Sequence, residues 1–131
     1  MTVDKVAFGE QQPESDHGFR GEGTEVSVDG QGRRARATTA RMTVGLKDPD
    51  QAGRVLRVGY RHSGGSTGVA ARMNGVLVAA EDWDGEHGAY EVDYDLPTEL
   101  ATGPRAVAYE LEITAPDGKA TPGITMVRLL H

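Results

Sequence analysis

Residues 54–96 read RVLRVGYRHSGGSTGVAARMNGVLVAAEDWDGEHGAYEVDYDL, and the alternation at the two ends of this stretch decides the fold. In VLRVGYR, Leu56, Val58 and Tyr60 fall on one side of a two-residue period and Arg57 and Arg61 on the other. In EVDYDL, Val92, Tyr94 and Leu96 oppose Glu91, Asp93 and Asp95. That period belongs to strands with one face buried and one wet. Between them Asn74-Gly75 separates two apolar runs, and both residue types tolerate the positive φ that a two-residue hairpin turn demands.

Outward from this centre the same period recurs. Met42, Val44 and Leu46 share a face in the segment from Arg41 to Lys47, which stops at Asp48-Pro49-Asp50, where proline withholds a ladder donor. The segment from Ala106 to Ile113 alternates as well, with Val107, Tyr109, Leu111 and Ile113 predicted inward. Pro116-Asp117-Gly118 ends it, and Ile124 to Leu130 forms a last apolar strand. Val26 and Val28 mark a short strand between Glu25 and Asp29, whereas residues 33–39 are small and polar and read as an edge or irregular segment. Leu96 to Leu100 suits one helical turn with Pro97 at its first position, and Thr102-Gly103-Pro104 redirects the chain. The expected fold is all-β, an antiparallel jelly-roll-like β-sandwich of about eight strands. Residues 14–131 form one domain, and residues 1–13 are an arm or linker packed on it through Val6 and Phe8, running into a loop at QQPESDHG.

A chain of 131 residues holds one ordinary core, and aromatics at only 5% leave that core to Val, Leu, Ala and Met. The net charge of -6 opposes a phosphate-backbone partner, so no nucleic acid is expected, and the basic cluster GRRAR at 32–36 reads as a charged turn or strand edge. Cys 0 removes disulfides, thiolate nucleophiles and Cys-ligated zinc. No apolar run approaches a membrane span, and MTVDKVAFGE lacks a signal-peptide core. The chain then suits either a cytoplasmic protein or part of a larger secreted bacterial one, and the residues do not separate the two.

Three polar clusters could carry chemistry. Glu14, Asp16 and His17 gather two carboxylates and an imidazole, as a small metal-dependent hydrolase would need; the competing reading is that Glu14 and His17 bond loop backbone. Residues 81–87, EDWDGEH, place the only Trp among four acids. Trp83 can stack on a sugar face while Asp82 and Asp84, with Tyr60 near by, accept hydroxyl protons or hold Ca2+; the structural alternative has Trp83 capping an open end of the core. Residues 62–67, HSGGST, lack the glycine-lysine ending of a phosphate loop. No serine sits in a nucleophile elbow, no dedicated metal site is apparent, and no enzyme is expected.

Taken in order, VAFGEQQPESDHG at 6–18, LKDPD at 46–50, LRVGYR at 56–61, NG at 74–75, YDLPTEL at 94–100 and GITMVRLL at 123–130 resemble a known module. It is the non-catalytic β-sandwich domain near the carboxyl end of bacterial glycoside hydrolases of the family 127 type, the β-L-arabinofuranosidase-like proteins. The resemblance implies an accessory domain whose partner is the catalytic domain of its parent hydrolase, with contact to plant or microbial polysaccharide as a second role. That family's catalytic α/α barrel uses a zinc-bound cysteine, which this chain lacks. Glu14 and His17 lie in the matching motif, with no binding role implied for them. A genuine carbohydrate-binding module using the Trp83 loop is the alternative.

Overall fold

The computed structural model describes residues 2–85, 87–101 and 106–131. Its elements are β1 (Thr2–Ala7), α1 (Gln11–Asp16), β2 (Arg20–Val28), β3 (Arg34–Lys47), β4 (Val55–Arg61), β5 (Ser66–Met73), β6 (Val76–Asp84), β7 (Ala89–Asp95), α2 (Thr98–Ala101), β8 (Ala108–Thr114) and β9 (Gly123–Leu130). The strands pair in the order β6-β5-β8-β3-β9-β4-β7, with β1 along β9 and β2 along β3, and every strand ladder is antiparallel. This is the expected all-β antiparallel sandwich, nearly closed on itself. Among the described residues no helix is long and apolar enough to cross a membrane.

The fourteen-residue β3 makes the closure. Its second half, Arg41 to Lys47, ladders onto β8, while its first half reaches β9 at the single pair Arg36–Ile124. The leaves β6-β5-β8-β3 and β9-β4-β7 therefore share one strand and face each other across a core that includes Leu46, Leu56, Leu111, Ile124 and Leu129. Each such side chain contributes about 1.5–3 kcal/mol on leaving water. The alternation that predicted these strands is what fills the core: Met42, Val44 and Leu46 point in from β3, and Leu56, Val58 and Tyr60 from β4.

Local chemistry sets the turns. Asn74 (φ 50°) and Gly75 (φ 82°) join β5 to β6 as the two-residue hairpin turn. At Asp48-Pro49-Asp50 the buried Asp48 carboxylate accepts the backbone N–H groups of Ala52 (2.7 Å) and Gly53 (3.0 Å), which holds the loop before β4.

Several expectations are corrected. Of the expected arm, residues 2–7 are built into the sheet: β1 pairs with β9 from Thr2–Leu130 to Ala7–Met126, so the strands number nine among the described residues. The loop QQPESDHG is largely the helix α1, because Pro13 falls in its first turn, where no intrahelical donor is needed. Residues 34–39 are strand, paired with β2; Ala35 and Thr38 are buried there, so small and polar side chains fill positions that the apolar alternation does not mark. Val107 is 58% exposed because it precedes the first residue of β8. The cluster at 81–84 is the end of β6 and not a loop. Thr102-Gly103-Pro104 and Glu86 lie outside the described residues.

Candidate functional site

The N-terminal motif folds into a closed polar knot. Glu14 on α1 is 5% exposed, and its carboxylate accepts the Gly9 N–H (3.0 Å) and two N–H groups of Arg36 on β3 (2.7 and 2.9 Å). Arg36 also donates to Thr24 Oγ1 (3.0 Å), and its guanidinium carbon stands 4.6 Å from the centroid of the Phe19 ring, which meets Phe8 edge-on. At the end of α1, His17 Nδ1 lies 2.7 Å from the Pro13 carbonyl oxygen and Nε2 lies 3.0 Å from Asp4 Oδ1. The Pro13 carbonyl and the Asp4 carboxylate both accept, so the geometry favours the protonated ring, which can donate from both nitrogens. Burial works against that charge, but the hydrogen bonds to Asp4 and Pro13 and the charges of Asp4 and Asp16 outweigh it, and the His17 pKa is raised. Asp4 is lowered: burial opposes, and the Lys47 N–H, His17 and the Lys5 N–H prevail. Asp16 is held by Gln12 Nε2 (2.8 Å). The three groups that a hydrolase would have to bring together are each engaged by a different neighbour, and among the described residues no group of three or more His, Cys, Asp or Glu is placed to hold a metal.

The second place is the end of the sandwich where β6 approaches β7. Tyr60 on β4 is 1% exposed and packs under Trp83 of β6, ring centroids 5.0 Å apart. The Tyr60 and Tyr94 hydroxyls are 2.7 Å apart, and Tyr94 donates to Glu81 Oε2. Burial pushes both phenols far above their usual range; the Glu81 carboxylate and Tyr60 push Tyr94 further, while the Tyr94 bond acts against the rise at Tyr60. Tyr60, expected to face a sugar, is thus a core residue whose ring offers nothing to solvent. Trp83 is half-buried and does cap the core, as the structural alternative had it. Asp82 and Asp84 are exposed; Asp82 pairs with Lys119 at 3.4 Å, and the Asp84 carbonyl accepts from His87 Nε2 (2.7 Å).

The same end holds residues that sequence reasoning passed over. His62, just beyond β4, is 5% exposed. Its ring stacks on Tyr90 (5.4 Å, 22°) and meets Trp83 and His87 edge-on at 4.8 and 5.4 Å. Burial first and His87 second lower its pKa, against a smaller upward pull from Glu81. The loops on either side are tied together, Gly85 N–H to the Gly65 carbonyl (3.0 Å) and His62 N–H to the Gly88 carbonyl (2.9 Å).

A third feature is a trough of about 750 Å³ on the outer face of β2, β3 and β8, floored by Gly45 and walled by Arg20, Arg41, Glu110 and Glu112. Arg41 lies between Glu22 (3.7 Å) and Glu112 (3.5 Å), so the charges there largely offset one another. The basic cluster at 32–36 faces acids too: Arg33 pairs with Asp29, Arg34 with Glu10 and Arg36 with Glu14.

Among solved structures, a family 35 carbohydrate binding module from Clostridium thermocellum is similar over 96% of this chain and 97% of its own, at TM-score 0.67 and 9% identity. The module CsCBM6-3 from Clostridium stercorarium, in complex with cellobiose, is similar over 95% and 91%, at TM-score 0.58 and 10% identity. An exo-β-1,3-galactanase from Phanerochaete chrysosporium, solved with β-1,3-galactotriose, is similar over 99% of this chain at TM-score 0.60 and 8% identity, and the chain spans 29% of that enzyme's length. At these identities the likeness is one of fold. No functionally curated protein matches the chain in sequence. A family model does match, over residues 1–130, and the chain belongs to that family, described as a family of unknown function (DUF6805).

Proposed function

We propose that this chain is a non-catalytic accessory domain of a carbohydrate-active enzyme, one that binds carbohydrate and packs beside a catalytic domain. The observation that carries the reading is the two-way coverage with the family 35 module: the likeness spans 96% of this chain and 97% of that module, with little left over on either side. The galactanase likeness supports the accessory half, since there the same fold occupies 29% of a longer hydrolase. The polar clusters agree, because the acid and imidazole groups of the N-terminal motif are consumed in holding α1 to β1 and β3. The finer reading, a parent of the β-L-arabinofuranosidase-like type, rests on the ordered motif resemblance.

The test is affinity electrophoresis of the whole chain through gels carrying arabinan, arabinogalactan, galactan, xylan or mannan, with turnover of aryl arabinofuranosides measured in parallel. Accessory modules hold single chains weakly, and a Kd of about 1 mM corresponds to only about 4 kcal/mol, so the gels are loaded to millimolar sugar. Retardation by at least one polysaccharide without turnover is expected. Migration unchanged in all of them, or turnover comparable with a complete hydrolase, would overturn the proposal.

A further inference from the structure

Among the described residues, three buried side-chain polar atoms have no hydrogen-bond partner, and all three lie around one indole: Nδ1 and Nε2 of His62 and Oγ1 of Thr67. Thr67 stands directly opposite Trp83 in the β5–β6 ladder, and the His62 ring meets Trp83 at 4.8 Å. Buried polar groups in native proteins are nearly always bonded, so three unpartnered atoms under a single side chain ask for a ligand that the protein itself does not supply.

The chemistry of these atoms defines that ligand. A neutral imidazole offers one donor and one acceptor, and the Thr67 hydroxyl offers both. A carboxylate or sulfate could use only the donors and a cation only the acceptors, whereas a sugar hydroxyl both gives and receives. Around these atoms stand aromatic faces, Trp83 over the site and Tyr90, 37% exposed, beside His62, of the kind on which the C–H face of a sugar ring packs. His62 and Thr67 are 5% and 9% exposed, so a ligand reaches these atoms only as the indole moves, and with the Tyr60–Tyr94–Glu81 relay on the core side the way in is a dead end, which suits the tip of a glycan and not the middle of a chain. The trough is the contrasting case: it is open, its Tyr109 is 2% exposed and offers no platform, and among the described residues its lining leaves no buried polar atom unpartnered.

Resting on the carbohydrate reading above, we infer that Trp83 roofs a subsite for one uncharged, terminal sugar residue, its hydroxyls bonded to His62 and Thr67 as the indole shifts to admit it. This assigns ligand contacts to His62 and Thr67 and sets Tyr60, Asp82 and Asp84 outside the subsite.

Trp83 is the only indole in the chain and reports on its own site. Its emission is followed while the whole chain is titrated with L-arabinose, D-galactose, D-xylose, D-glucose, their β-linked disaccharides and D-glucuronic acid. A saturable change at millimolar neutral sugar is expected, weakened at least tenfold in Thr67→Val, which keeps the shape of the side chain, and in His62→Phe, which keeps an aromatic ring. Arg20→Ala in the trough is expected to bind like the parent protein. If sugars or polysaccharides bind but Thr67→Val and His62→Phe bind equally well, or if glucuronic acid is preferred, the subsite is overturned and the accessory reading survives. If no sugar or polysaccharide binds in either assay, both fall.

Discussion

Two polar regions of this sandwich handle buried polarity in opposite ways. At the N-terminal motif Glu14, Arg36, His17 and Asp4 form a knot in which both oxygens of each carboxylate, both imidazole nitrogens and the guanidinium are matched. At the Trp83 end His62 and Thr67 are buried as deeply, and their polar side-chain atoms are matched by nothing in the protein. Satisfied networks rigidify a fold and leave no capacity for a ligand. Unsatisfied ones cost stability and are kept where something else completes them. The region that looks chemically rich in sequence is therefore a clamp, and the region that looks like a glycine-rich loop beside a tryptophan is the candidate for recognition.

Mutation at the clamp should have the largest effect. Glu14→Ala leaves the Arg36 guanidinium and the Gly9 N–H buried without their acceptor, and breaking one side of a buried pair costs about 3–5 kcal/mol. For a chain of this size that is a fall in Tm of about 10 °C or more by calorimetry. An unchanged Tm would mean that the motif is not structural and would reopen it as a site. Thr67→Val should move stability the other way, because it replaces an unpartnered buried hydroxyl with a methyl group of the same shape. A gain of about 1 kcal/mol in urea unfolding is expected; a loss of that size would mean that the hydroxyl is already bonded within the fold.

How much of this could be read from the chain follows the range of the forces involved. Two-residue alternation in VLRVGYR and EVDYDL, the Asn74-Gly75 turn and the Asp48-Pro49 stop are local, and each strand or turn that they implied is present. Residues 2–7 carry no such signal because their pairing partner, β9, is remote in sequence and supplies the order from outside, whereas residues 34–39 pair locally with β2 and are hidden by their small, polar composition. Trp83 and its neighbouring acids were visible as a candidate. Their meaning was not, since the burial of Tyr60, the approach of His62 and the pairing of Thr67 with Trp83 all depend on β4, β5 and β6 meeting at one end. A His and a Thr flanking a run of glycines carry no one-dimensional mark of being buried. The aim of Glu14 at Arg36, 22 positions away, is equally a product of the fold.

The two histidines should also titrate with opposite signs, which is the smallest effect and the finest test of the contrast. His17 has a folded pKa raised above its unfolded value, so its contribution is fully present below about pH 6.5 and is lost as pH climbs through the folded pKa. His62 has a folded pKa lowered below its unfolded value, so its contribution is present above about pH 6.5 and is lost as pH falls through the folded pKa. Around neutrality the protein should therefore show a shallow stability profile shaped from both sides, with Asp4 adding a further loss only at acid pH, where its lowered pKa is crossed. His17→Gln should remove the decline on the alkaline side, a change of about 0.5–1 kcal/mol for a partly buried pair, and His62→Phe should remove the decline on the acid side. Urea unfolding from pH 5 to 9 on the three proteins reads both limbs. A His62→Phe profile that still falls on the acid side as the unsubstituted protein's does would show that this imidazole is solvated in the folded state, and the difference between the two polar regions would then be one of geometry without an electrostatic counterpart.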